Sequence, residues 1–386
     1  MEAPPEVRGA WTDAGELSVP LVYRHGQYEG PVTLRDGRAL AAGGAGRLLL
    51  SLDTSSLYNP VGNTWTSTAP LLQDRRMHSL TALCDGRALA AGGIPGPQAF
   101  PQPAVDHAEL FDPVGEAWTA TAPMGETRQG HAATVLADGR VLVTGGQRPR
   151  PPRGMGTLAT AEVFDPEREV WEPTGAMALP RWHHLTVLLP DGRVLAVGGL
   201  TATGQHGASP ALGLCELYDP DTGTWSPTGS MRAARATHQA VPLPDGSVLA
   251  VGGAHTDRAD DARFHPFSLA GTEIYDVAAG QWRDGPSLPW GRGYHRALPL
   301  GTGEVVVCGG TENSCLDVGF ASTLRWSPGT RHWRPAGPMA TGRWAFGATV
   351  LLDGRVLAIG GVSRTGAPAP RPGEDVPAAR AEVFTP

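Results

Sequence analysis

One phrase recurs along this chain, and a recurring phrase restricts the fold more than any bulk property does. It runs apolar–Tyr/Phe–Asp–Pro, a short turn, Trp, then Arg and His, an apolar stretch, Asp-Gly-Arg, a second apolar stretch and Gly-Gly. Two clear copies are AEVFDPEREVW…RWHHLTVLLPDGRVLAVGG and CELYDPDTGTW…RATHQAVPLPDGSVLAVGG. The Trp series is Trp11, Trp65, Trp118, Trp171, Trp225, Trp282 and Trp333. The Gly-Gly series begins at Gly43, Gly92, Gly145, Gly198, Gly252, Gly309 and Gly360. Seven of each stand about 50 residues apart. Length alone, 386 residues, would suit two ordinary domains. Repeats that cannot bury their apolar faces singly instead stack into one array, so one domain over 1–386 is expected.

Each copy reads as four strands. Strand a follows the His, and the Asp-Gly after it is a hairpin turn, since Gly readily takes positive φ. Strand b is the RVLAVGG segment, strand c ends at Tyr-Asp-Pro, and strand d begins at the Trp. Four antiparallel strands make a blade, and a large Trp fills the space between neighbouring blades. The expected fold is all-β: a seven-bladed β-propeller. The ends predict how it closes. The chain opens on an orphan strand d around Trp11 and finishes on AEVFTP, a strand c with nothing after it. Pairing the two hides sheet edges that would otherwise invite aggregation.

These motifs resemble the kelch superfamily over essentially the whole chain. The likeness extends to the propeller of galactose oxidase and to bacterial kelch proteins with DGRVLVAGG-like strands. Propellers host many functions, so the resemblance implies a shape more than a chemistry. It also implies that ligands bind on the face made by the d–a and b–c loops, around the central channel.

Composition narrows the partners. The net charge is -7, and all 31 basic residues are Arg. A mildly acidic chain without a basic run is a poor nucleic-acid binder. No apolar stretch is long enough to span a bilayer, and MEAPPEVRGAW lacks the features of a secretory leader. The four cysteines, Cys84, Cys215, Cys308 and Cys315, show no disulfide spacing. A cytoplasmic protein with reduced thiols is expected, without nucleic-acid or membrane partners. A protein partner stays open.

Two places attract functional residues. The b–c connections are long and individual, as functional loops on a repeating frame usually are. The entry to strand a is the other. Seven residues before the hairpin Asp-Gly, or its Thr-Gly equivalent, five blades carry His78, His131, His184, His238 and His295, while two carry Glu29 and Phe346. Arg128, Arg181, Arg235, Arg292 and Arg343 stand three residues earlier. Equivalent positions point alike. If they point inward, the channel mouth holds a near-ring of imidazoles able to ligate copper or iron, with the arginines and His183 binding substrate. If they point into the frame, the His set is a copied structural motif.

Tyr294 before His295 resembles the Tyr-His copper-ligand pair of galactose oxidase, and Tyr28 before Glu29 holds the same relative place. Tyr294, Tyr28 and Glu29 are the catalytic candidates. Three Trp outside the repeat, Trp182, Trp290 and Trp344, all fall at d–a entries and suggest an apolar or ring-shaped ligand. In the loop after Gly253, Asp257, Asp261 and His265 resemble the iron site of plant nitrile-specifier kelch proteins, with solvated loop charge as the plainer reading. The expected function is small-molecule enzymology at the mouth: oxidoreductase, lyase or cyclase chemistry in specialised biosynthesis, with a His-coordinated transition metal. The alternative is a non-catalytic binding module for a peptide, a protein or a sugar.

Overall fold

In the computed structural model the described residues are 9–17, 21, 30–46, 49–97, 101, 103–150, 154–201, 210–254, 268–312, 318–364 and 375–386. They form seven four-stranded antiparallel sheets, each ordered a-b-c-d. Blade 4 is representative: Leu185–Leu188, Val194–Val197, Cys215–Asp219 and Thr224–Thr228. Two short hairpins, Gln147–Pro149 with Met155–Thr157 and Val362–Arg364 with Val376–Pro377, extend the b–c connections of blades 3 and 7.

Burial explains the repeat. In blade 4, strand b is buried at every position and strand d is mostly open. A strand buried on both faces loses the alternation of a one-sided sheet and reads as a continuous apolar run. The packing lies between blades. One cluster joins Leu34, Leu40 and Leu57 of blade 1 to Leu80, Ala88, Phe111 and Trp118 of blade 2. The repeat Trp spans that seam. Trp118 stacks tilted on Phe111 of its own blade and donates Nε1–H to Ser55 Oγ of blade 1 at 3.1 Å. Trp65, Trp225 and Trp333 reach back likewise to Ala14, Gly175 and Pro286 carbonyls.

The ring closes as the ends predict. Ala10–Glu16 pairs with Arg380–Thr385, setting Trp11 opposite Phe384. Blade 7 therefore takes its strands a to c from the C-terminal end and its strand d from the N-terminal end. Trp11 donates to Thr323 Oγ1 of blade 6 at 2.8 Å, as Trp65, Trp118, Trp225 and Trp333 do to their neighbours.

Candidate functional site

The d–a and b–c connections meet on one face. The residue two before each strand-a His, or its counterpart, bridges to the residue after Gly-Gly: Arg76 to Ile94, Gln129 to Gln147, Trp182 to Leu200, Ala236 to Ala254, Gly293 to Thr311 and Trp344 to Val362. The next residue in each blade turns with a left-handed backbone: Met77, Gly130, His183, Thr237, Tyr294 and Ala345, at φ between 49° and 58°. These turn residues touch from blade to blade. Gly130 N–H donates to Met77 O at 2.9 Å, His183 to Gly130 at 3.0 Å, Tyr294 to Thr237 at 3.1 Å and Ala345 to Tyr294 at 3.0 Å. Equivalent atoms of adjacent blades approach this closely only near the ring's axis. The belt therefore marks the channel mouth.

The five histidines lie beneath this belt, inside the seams. His78, His131, His184, His238 and His295 are each at most 2% exposed. Each ring sits against the Gly-Gly of the preceding blade. A Cβ on Gly145 would stand 2.9 Å from His184 Cε1 and 2.3 Å from Arg181 O, and Gly145 itself has φ 61°. Only glycine satisfies both demands. His131 pairs with Ser79 and His184 with Thr144, both across the seam, at 3.0 and 2.7 Å. Phe346 fills the same space in blade 7, with Cε1 2.5 Å from the Cβ position of Gly309. A ring with no ligating atom thus does the same packing. Burial pushes the His78 and His238 imidazoles down to about 3, and those of His131, His184 and His295 well below the usual range. The inward-facing ring expected from equivalent spacing is thus replaced by one imidazole per seam. Among the described residues no group of three or more His, Cys, Asp or Glu is placed to hold a metal ion.

The arginines are also turned into the frame. Arg128, Arg181, Arg235 and Arg343 are at most 1% exposed. Their guanidinia bind Glu162, Glu216, Glu273 and Glu382 of their own strand c at 2.7, 2.7, 2.6 and 2.5 Å. Each carboxylate also accepts two backbone N–H groups of the d–a loop, as Glu162 does from Gly125 and Glu126. Arg75 pairs the same way with Glu109. Arg75, three residues before His78, is a further member of the arginine series that the sequence reading missed, and the glutamates are its missed counterpart. The signal was present in the recurring Glu that precedes Leu-Phe, Val-Phe, Leu-Tyr or Ile-Tyr in strand c.

The aromatic candidates do gather at the mouth. Trp182 and His183 stack at 4.1 Å, and Tyr294 and Trp344 at 5.5 Å, one pair on each side of the belt's Thr237. His183 and Tyr294 are bulky side chains held at φ 50° and 53°. The same left-handed backbone recurs at this position in Met77, Gly130, Thr237 and Ala345, so it belongs to the repeat's turn and what distinguishes these two blades is the ring they place there. Trp344 is buried, and Trp290, two residues before Arg292, is 57% exposed. Trp182 Nε1, Trp344 Nε1, Thr237 Oγ1 and both amide atoms of Gln129 are buried without a protein partner. Gln129 and Thr237 carry no mark in the sequence beyond their place in the turn. Tyr28, Glu29, Asp257, Asp261, His265 and Cys315 lie outside the described residues. Two clefts of about 410 and 490 Å³ open at the other end of the ring, both bordered by Asp245 of an a–b hairpin turn and Arg283 of the strand Gln281–Asp284.

Comparison with known proteins agrees with the frame. No protein-family model matches the chain. It is 27% identical over 271 residues to Kelch-like protein 34 of Homo sapiens, covering 69% of this chain and 38% of that protein. It is 25% identical to Beta-scruin of Limulus polyphemus, covering 58% of this chain and 24% of that protein. The chain thus spans well under half of these relatives' length. Among solved structures it superposes with TM-score 0.72 at 16% identity on a fungal alcohol oxidase of the AA5 family in complex with copper, covering 98% of this chain and 76% of that one.

Proposed function

Taking the chain as what its repeats, relatives and architecture make it, a kelch-type seven-bladed β-propeller, we propose that its channel mouth binds a small organic molecule. One observation carries the reading. At the two turn positions surrounding the mouth, the side chains that break the repeat are aromatic or unmatched in hydrogen bonding. Trp182 and Tyr294, half-buried, present ring faces at the mouth, with His183 and Trp344 packed buried beside them, and Trp182 Nε1–H, Trp344 Nε1–H, Thr237 and Gln129 hold polar groups without protein partners. Pockets of this kind pair an apolar wall with a few polar groups that orient the ligand. In this reading 1–386 is one propeller domain acting as a cytoplasmic small-molecule protein.

The copper oxidase neighbour raises the question of a metal. The described residues do not fit one. The five imidazoles are divided among five seams, and two have their Nε2 committed to hydroxyls. Among the described residues, a reaction at this mouth would draw on proton exchange and not on these five imidazoles as metal ligands. His183 and Tyr294 are the side chains of the belt that can hold or pass a proton.

The test is a thermal-shift screen of small metabolites, followed by variants. Compounds that stabilise the wild type should lose their effect in Trp182→Ala and Tyr294→Ala. Hits that keep their full effect in both variants would remove the mouth from consideration. Binding only to a peptide or protein, with no small-molecule hit, would favour the kelch-like relatives' side of the comparison.

A further inference from the structure

We infer that the ligand carries an oxyanion, most simply a carboxylate, held at Arg292 on the blade 6 side of the mouth. The motive is a break in the Arg–Glu device. Five blades bury a guanidinium against a strand-c glutamate. Register places Leu324 where blade 6 should carry that glutamate, since Val307 faces Leu324 as Val143 faces Glu162. Arg292 is nevertheless kept, at 1% exposure. Blade 1 shows the other way to lose the device. There Ser56 replaces the glutamate, and by spacing Gly26 replaces the arginine. Blade 6 alone keeps the buried cation without its counter-charge.

Among the described residues no carboxylate pairs with it. Arg292 donates to Gly309 O at 3.0 Å and Ser322 Oγ at 3.1 Å, and lies 5.3 Å from the Phe320 ring centroid. All three partners are uncharged. Cys308 is fully buried close by, but burial pushes its thiol up to about 12, so it stays neutral. A buried guanidinium without an anion is costly, and burial already lowers Arg292 to about 10. A ligand carboxylate would restore what the other blades build in, through a charge-assisted contact.

The same break frees the loop above it. In the five complete blades the glutamate pins the d–a loop through two N–H groups, as with Arg232 and Ala233 on Glu273. In blade 6 the first of those donors is Pro289, which has no N–H. With acceptor and donor both gone, the Pro289–Gly291 tip lacks the staple of its counterparts, and it carries the exposed Trp290.

The inference rests on the mouth reading only for the ligand's address. The experiment titrates benzoate, inorganic phosphate and benzyl alcohol at constant ionic strength, reading the unfolding temperature of the wild type, Leu324→Glu and Arg292→Met. Benzoate should raise the wild-type midpoint saturably, by about 2 °C or more, and benzyl alcohol by less. Phosphate matching benzoate would mark a general oxyanion site, and benzoate alone a carboxylate site. Leu324→Glu should be more stable without additive and lose the benzoate response, and Arg292→Met should lose the response too. Equal shifts from benzoate and benzyl alcohol would overturn the anion site while sparing the aromatic mouth. A benzoate response surviving in both variants, or none in the wild type, would also overturn it.

Discussion

At the residue scale, the histidines decide between a metal ring and a packed frame. His238 presents both ring nitrogens to the interior without a protein partner, His78 meets only the Ala42 backbone, and Phe346 holds the equivalent place in blade 7. His78→Phe and His238→Phe should therefore fold with stability within about 1 kcal/mol of the wild type, whereas either His→Ala leaves a cavity costing about 3 kcal/mol. Urea unfolding checks this, and a Phe variant as damaged as the Ala variant would contradict it. Acid sensitivity follows from the same burial. Unfolded imidazoles protonate near 6.5, and the folded ones are held far lower. The unfolded state then binds more protons. Stability is complete above about pH 7 and is lost as pH falls through 6.5 toward the folded values, by about 1.4 kcal/mol per pH unit for each such histidine. Denaturant midpoints measured from about pH 7.5 down to about 5 should fall steadily, and a flat profile would count against neutral buried imidazoles. The spacing made the five His visible as a set, but not their direction. A residue at the inner rim can face the axis or the seam, and the Gly-Gly that admits the ring is a partner from another blade.

At the scale of elements, the d–a loop is a unit held by one carboxylate. Glu162 receives Arg128 and the N–H groups of Gly125 and Glu126 while almost fully buried. Glu162→Gln keeps the shape and removes the charge, which strands a buried guanidinium. The expected loss is about 3 kcal/mol, read by thermal or urea unfolding, and a loss below about 1 kcal/mol would show the pair to be dispensable. Strands a to d were legible because each has a sequence sign: His before a, Asp-Gly between a and b, Gly-Gly after b, Trp in d. The glutamate device was hidden for a physical reason. One polar residue inside an apolar strand looks like ordinary alternation until the fold brings Arg from the preceding loop to it. Trp182 and Trp344 were legible because they are extra, outside the Trp series. Gln129 and Thr237 were not, since only the turn geometry gives them a place.

At the scale of the whole molecule, closure and the mouth depend on each other. The strand Ala10–Glu16 covers Arg380–Thr385 and sends Trp11 into the seam with blade 6. Deleting residues 1–17 should leave an open edge and a Trp-sized gap, lowering stability by several kcal/mol and promoting association. Calorimetry with sedimentation would show both, and an unchanged monomer would contradict the closure. Closure was readable from the two unfinished ends, whereas the mouth's content was only half readable, since its belt is made by turns that carry no shared residue type. Within that ring the aromatic mouth is where the chain departs from its own repeat. A crystallographic soak with a panel of aromatic, carboxylate and neutral polar fragments tests it most directly. Fragments should gather between Trp182, Tyr294 and Trp344, with carboxylates displaced toward Arg292. Fragments collecting instead in the clefts beside Asp245 and Arg283, with the mouth left empty, would contradict a ligand site at the channel.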